Sequence, residues 1–123
     1  MTQELAHRIQ EELNSELGDA LPEHVRRYAQ IDPKLFRWYR DFRSNILATG
    51  AITSKDKMLM VLALLTAMKQ GGAMEMYCTI ALEEGATTEE ILEAARVGVL
   101  FSGGPGIAAA AEISHLLIGG EDD

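Results

Sequence analysis

The chain has 123 residues, of which 47% are hydrophobic and 24% are charged, a composition typical of a soluble globular protein with one domain. Its formal net charge of −8 argues against nucleic acid as a partner, because phosphate backbones are bound by clustered Lys and Arg. The single cysteine excludes an internal disulfide and a CxxC centre, and the three scattered histidines fit no zinc spacing, so we expect neither a metal nor a cofactor.

Neither a membrane span nor a secretory signal is predicted. The longest apolar stretch, residues 58–68, is interrupted by Thr66 and is too short to cross a bilayer. The first residues lack a basic region followed by an apolar run. We therefore expect a cytoplasmic protein without a membrane partner.

The first part of the chain predicts two helices. Residues 3–17 place apolar side chains at steps of four, and Gly18 occupies the expected C-terminal cap. After a short connector that begins at residues 21–22, Asp32 is a predicted N-cap followed by proline, and its helix runs to about Gly50. The apolar face of this second helix comprises Leu35, Trp38, Tyr39, Phe42 and Ile46.

A basic stripe follows one side of the same helix, because steps of three keep side chains on roughly one face. We expect it to be solvated, or paired with acidic residues near the N-terminus, since both are commoner than a site for an anionic ligand. The basic residues are Lys34, Arg37, Arg40 and Arg43, with Arg26 and Arg27 upstream, and the acidic ones are Glu4, Glu11, Glu12 and Glu16.

The middle of the chain predicts a central, buried helix. Residues 53–56 resemble a capping box, and the helix that follows to about Lys69 is apolar nearly all round. A helix without a polar face is expected to be covered by its neighbours. Glycines at 71–72 end this pattern, and a shorter helix is expected over residues 73–84.

The last part of the chain predicts two further helices. Residues 87–90 form a full capping box before a helix that carries Ile91 and Leu100. A Gly/Pro break at 102–106 precedes the last helix, 107–118, and residues 119–123 form an acidic tail. The sequence therefore predicts an all-α, single-domain bundle of about six helices.

Three segments carry a more specific pattern. Residues 55–57 (Lys-Asp-Lys) start the long apolar helix, residues 81–91 read Ala-Leu-Glu-Glu-Gly-Ala-Thr-Thr-Glu-Glu-Ile, and residues 103–110 read Gly-Gly-Pro-Gly-Ile-Ala-Ala-Ala. Together they resemble the carboxymuconolactone decarboxylase and alkylhydroperoxidase D family. The resemblance implies a family core over residues 32–118, a helical extension over 1–31, and assembly as a homotrimer or homohexamer.

The resemblance also locates the positions that carry chemistry in the redox branch of this family. Counted back from Gly85, the histidine position holds Tyr77, and the two cysteine positions hold Ala73 and Gln70. The glutamate position of the proton relay holds Met58. A thiol peroxidase needs an activated thiolate and a second, resolving thiol, so the CxxC peroxidase mechanism is excluded.

Three residues near these positions are candidates for catalysis. Tyr77 could donate a hydrogen bond in a pocket lined by Met58, Gln70 and Ala73, although an aromatic side chain that fills the vacated volume is the commoner role. Glu75 could act as a general base or lie on the helix surface. Cys78 could be a nucleophile, although a lone cysteine among apolar residues usually behaves as a small hydrophobic residue.

The sequence leaves two functions open. The first is a decarboxylase-like lyase that acts on a small organic acid or lactone, because decarboxylation needs an apolar site and groups that stabilise developing negative charge. The second is a non-catalytic, oligomeric relative that binds a small apolar organic acid. Methionine and alanine at relay positions make the pocket more apolar, which favours binding over proton transfer.

Overall fold

The computed structural model describes residues 23–118, and its regular structure in this range is entirely helical. The predicted all-α fold class is therefore confirmed. Two short 3₁₀ turns, Gly71–Ala73 and Ala111–Ile113, connect helices in the second half. The α-helices are α1 (Glu23–Ile31), α2 (Pro33–Leu47), α3 (Ser54–Ala67), α4 (Met74–Glu83), α5 (Thr88–Ser102), α6 (Gly104–Ala110) and α7 (Ser114–Ile118).

Three of the predicted helix starts have the expected N-cap hydrogen bond, although at 53–56 only the Thr53 half of the expected capping box is present. Asp32 accepts a hydrogen bond from the backbone N–H of Leu35 at 3.1 Å, and the Thr53 hydroxyl accepts one from the N–H of Asp56 at 3.1 Å. At α5 the capping box is complete. Its Glu90 carboxylate accepts from the Thr87 N–H at 3.0 Å, and the Thr87 hydroxyl accepts from the Glu90 N–H at 3.1 Å.

Contacts within the chain group it into two compact units, Met1–Ala48 and Thr49–Asp123. The division into an extension, a family core and a tail stays a prediction. In the first unit, α1 packs on α2, with the Tyr28 and Phe36 ring centroids 6.0 Å apart. The prediction of a short connector before Asp32 is wrong, because helix α1 occupies most of this segment. Residues 23–31 contain neither Gly nor Pro and space Val25, Tyr28 and Ala29 as a helix does.

The second unit is built around α3 and α5. The buried face of α3 carries Met58, Leu62 and Thr66 at steps of four, and the buried face of α5 includes Gly98. A Cβ atom on Gly98 would lie 2.5 Å from the Ala63 carbonyl oxygen and 2.6 Å from the Thr66 Cβ atom. The two helices can cross this closely only because residue 98 has no side chain.

The expectation that α3 is buried all round is wrong. Met60, Leu64 and Met68 follow its opposite side and are 48%, 59% and 59% exposed. A side chain two positions along a helix points about 200° away, so these residues lie opposite the buried stripe that begins at Met58. The helices packed on α3 in its own unit cover only that stripe.

The end of the chain also differs from the prediction. The last helix was expected over 107–118, but α6 begins at Gly104 and a 3₁₀ turn separates it from α7. Pro105 explains the early start, because proline suits the first turn of a helix. The predicted helix 3–17 and acidic tail 119–123 lie outside the described residues. Within residues 23–118, no helix has the length and apolar character to cross a membrane.

Candidate functional site

The family-like motif occupies the end of α3, the first 3₁₀ turn and α4. Lys69 ends α3 with a left-handed backbone, φ 60°, and the Gln70 N–H donates to the Leu65 carbonyl at 2.9 Å. The turn then passes close to α6, because a Cβ atom on Gly71 would lie 3.4 Å from the Ala109 Cα atom. This turn therefore sets the position of α4 beside the last elements of the chain.

Two of the candidate positions lie in the core. Met58 is 1% exposed, and Cys78 is fully buried on α4 together with Met74. The neighbouring hydroxyl of Thr66 donates to the Leu62 carbonyl at 2.8 Å and lies 3.8 Å from the Met74 sulfur. Burial raises the pKa of the Cys78 thiol from 9.0 to about 11, so that the thiol is protonated at neutral pH.

Glu75 lies in the first turn of α4 and meets a residue that sequence reasoning did not select. Its Oε2 atom is 3.4 Å from Nε2 of His115 on α7, and both side chains are 57% exposed. The pair joins the motif helix to the last helix of the described chain. A carboxylate beside an imidazole can exchange protons with a bound molecule and can hold the ring in one orientation.

Tyr77 does not share a helix face with Glu75. The two residues are two positions apart on α4, which places them about 200° apart around its axis. The buried stripe of Met74, Cys78 and Ala81 runs between them. The half-buried Tyr77 side chain therefore leaves α4 on the flank away from the carboxylate.

The remaining candidates lie around the 3₁₀ turn. Gln70 is exposed immediately before the turn, and Ala73 is half-buried at its end. The six positions thus fall into three environments: the core holds Met58 and Cys78, and the exposed surface holds Gln70 and Glu75. Ala73 and Tyr77 are intermediate.

Between residues 23 and 118, no group of three or more His, Cys, Asp or Glu side chains is arranged to hold a metal ion. Glu75 and His115 form a pair of two residues, and their side chains can take part in acid–base chemistry.

A comparison with protein families gives a match over most of these elements. The model of the carboxymuconolactone decarboxylase family matches residues 33–115, which is more than half of the chain and extends from α2 to α7. Neither the curated proteins nor the solved structures gave a significant match.

Proposed function

Because the chain belongs to the carboxymuconolactone decarboxylase family, we propose that it is a lyase-like enzyme that uses acid–base chemistry and no thiol step. Its proposed substrate is a small organic acid or lactone. The observation that carries the proposal is the accessible pair of Glu75 and His115, 3.4 Å apart, at the start of the motif helix. Glu75 lies on the helix that also carries the buried Cys78, and His115 lies on α7.

The state of the thiol supports the absence of redox chemistry. A peroxide is attacked by a thiolate, whereas the pKa of Cys78 is raised to about 11 by burial. The side chains at the two family cysteine positions, Gln70 and Ala73, have no sulfur. A peroxidase cycle would therefore lack both the attacking thiolate and the resolving thiol.

The pair can supply the proton transfers that a lyase needs. In the proposed reaction, the bond between the substrate carboxylate and its neighbouring carbon breaks, CO₂ leaves, and the electron pair passes onto the adjacent carbonyl as an enolate. The Glu75–His115 pair then supplies the proton that the enolate carbon takes up. His115 fixes the carboxylate and, when protonated, attracts the negative charge of an organic acid. Such positioned acid–base groups contribute roughly 10² to 10⁴ in rate.

A second candidate function is non-catalytic binding of a small apolar organic acid. It is favoured by Met58, which is 1% exposed and replaces the acidic member of the family relay by an apolar side chain. An apolar interior without a relay group suits retention of a ligand better than proton transfer.

A substrate screen with matched variants tests the first candidate. Small organic acids and lactones are incubated with the wild type, Glu75→Gln, His115→Asn and Cys78→Ala, and products are followed by NMR. We expect turnover by the wild type and Cys78→Ala, and a fall of about 100-fold in Glu75→Gln. Turnover that survives Glu75→Gln, or that disappears in Cys78→Ala, would contradict the proposal. A small molecule retained in native mass spectra without turnover would support the second candidate.

A further inference from the structure

Lys69 adopts a backbone conformation that normally belongs to glycine. Its φ of 60° is positive, and among residues 23–118 no other residue except glycine has a positive φ. Its N–H donates to the Thr66 carbonyl at 3.1 Å and so takes part in closing the end of α3. Glycine fits such a position without strain, and a strained residue at a turn can be retained for what its side chain does.

Lys69 is also an isolated positive charge. The sequence has no other Lys or Arg between Lys57 and Arg96. Its side chain is exposed, and within residues 23–118 it forms neither an ion pair nor a side-chain hydrogen bond. A lysine in an ion pair would have its charge already neutralised, whereas this ammonium group can attract a bound anion.

A short turn leads from Lys69 to the acid–base pair. Gln70 is followed by the 3₁₀ turn Gly71–Ala73, and Glu75 lies in the first turn of α4 immediately after it. The Ala73 N–H donates to the Gln70 carbonyl at 3.3 Å, which keeps this stretch wound. A 3₁₀ turn rises about 2.0 Å per residue, so the Cα atoms of Lys69 and Glu75 are on the order of 10 Å apart. The two side chains can therefore contact opposite ends of one small molecule.

The charges beside this turn are mostly negative. A Cβ atom on Gly71 would lie 3.0 Å from the Glu112 Cγ atom, so the Glu112 side chain lies against the turn. His115 follows Glu112 by three residues, about one helical turn, and its Nε2 atom is 3.4 Å from Oε2 of Glu75. Two carboxylates thus accompany one imidazole, and they would repel an organic acid. Lys69 is the nearest permanent cation along the chain, and its charge offsets this repulsion.

We propose that Lys69 binds the carboxylate and the carbonyl oxygen of a small 3-oxo acid beside Glu75 and His115, which rests on the proposed lyase activity. An acid that loses CO₂ to give an enolate has its carbonyl one carbon away from its carboxylate. The ammonium group has three N–H donors, so it can contact both groups together. It then remains beside the oxygen that becomes negative when CO₂ leaves.

Two esters that differ in charge test this site. Monomethyl malonate has a carboxylate one carbon away from an ester carbonyl, and dimethyl malonate has the same carbonyl groups and no charge. Each is titrated at constant ionic strength into the full-length, ¹⁵N-labelled protein, and the amide shifts are followed by NMR. The variants are Lys69→Gly, Lys69→Arg and, as a control at an exposed cation of α5, Arg96→Gln.

We expect monomethyl malonate to shift the amides of residues 69–75 and 112–115, and dimethyl malonate to bind about tenfold more weakly. Lys69→Arg and Arg96→Gln should retain binding of the anion, whereas Lys69→Gly should weaken it by about tenfold. Lys69→Gly relieves the backbone strain, so urea denaturation should show it to be at least as stable as the wild type. Its loss of binding can then not be attributed to unfolding.

Three results would overturn the inference: no shift around the turn at millimolar monomethyl malonate, binding by Lys69→Gly equal to that of the wild type, or equal binding of the charged and the uncharged ester. Kinetics separate the anion site from the proposed function. If the substrate screen finds no turnover, Lys69-dependent binding of monomethyl malonate still supports the site. Turnover with unchanged kcat and KM in Lys69→Gly would contradict the site and leave the lyase activity standing.

Discussion

The side chain of Cys78 lies on the buried face of α4 between Met74 and Ala81. It is one position past Tyr77, the residue that the sequence resemblance aligns with the histidine of the family's redox branch. One step along a helix turns a side chain by about 100°, so this thiol points away from the direction that the histidine would take. In its position the thiol is surrounded by core and its pKa is raised to about 11. Its burial and its raised pKa favour the role of a small apolar side chain over that of a nucleophile.

A consequence of this burial is a loss of stability at alkaline pH. Below pH 8 the thiol is protonated in both the folded and the unfolded chain, so burying it has no electrostatic cost. Between pH 9 and 11 the unfolded chain releases the proton while the folded one retains it, so the free energy of unfolding falls by about 2 to 3 kcal/mol. Cys78→Ala should lack this contribution. Denaturant titrations of both proteins from pH 7 to 11 measure the difference, and parallel curves would contradict the assignment.

Lys69 offers a second test at single-residue scale. Its backbone φ of 60° lies in the left-handed region, where a Cβ atom costs about 1 kcal/mol and glycine does not. Lys69→Gly should raise the free energy of unfolding by roughly 0.5 to 1 kcal/mol, measured by urea denaturation. The control is Lys57→Gly inside α3, which should destabilise by about 1 kcal/mol because glycine disfavours a helix interior. Equal effects of the two changes would contradict the explanation.

At the scale of the elements, local chemistry determined which helix boundaries could be predicted. The starts of α2, α3 and α5 follow from Asp32, Thr53 and Thr87, whose side chains bind nearby N–H groups. Such a signal needs no tertiary contact. The missed helix α1 has only nine residues, and its packing against α2 through Tyr28 supplies stability that no local pattern displays.

The crossing of α3 and α5 gives a prediction about packing. Gly98→Ala would place a methyl group 2.5 Å from a backbone oxygen of α3, so the helices must separate. We expect a loss of about 1 to 3 kcal/mol in stability, measured by thermal or urea unfolding. Gly104→Ala is the matched control, because a Cβ atom there meets nothing within 4 Å. A Gly98→Ala protein as stable as this control would show that the crossing is looser than described.

At the scale of the whole molecule, the sequence predicted the fold class and the family but not the candidate site. Helical periodicity is repeated throughout the chain, and the segment around Gly85 is specific enough to indicate the family. The pairing of Glu75 with His115 joins residues 40 positions apart, and it depends on the turn at Gly71 that sets α4 beside the last elements. No periodicity or motif encodes that distance.

The exposure of the apolar side chains could not be predicted from the sequence either, because it also depends on how the helices pack. An apolar helix such as α3 is expected to be covered, yet Leu64 is 59% exposed in the single chain. The sequence shows how many apolar side chains need cover, whereas only the packed structure shows which of them the chain covers itself.

The proposal that this family member uses no thiol chemistry is tested most directly by the reactivity of Cys78. The native protein and the urea-unfolded protein are treated with 5,5′-dithiobis(2-nitrobenzoate) at pH 8, and thiol release is followed by absorbance. A pKa raised to about 11 lowers the thiolate fraction roughly 100-fold, and burial slows access further. We therefore predict a native rate at least 100-fold below that of the unfolded chain. A native thiol that reacts as fast as the unfolded one would contradict the account.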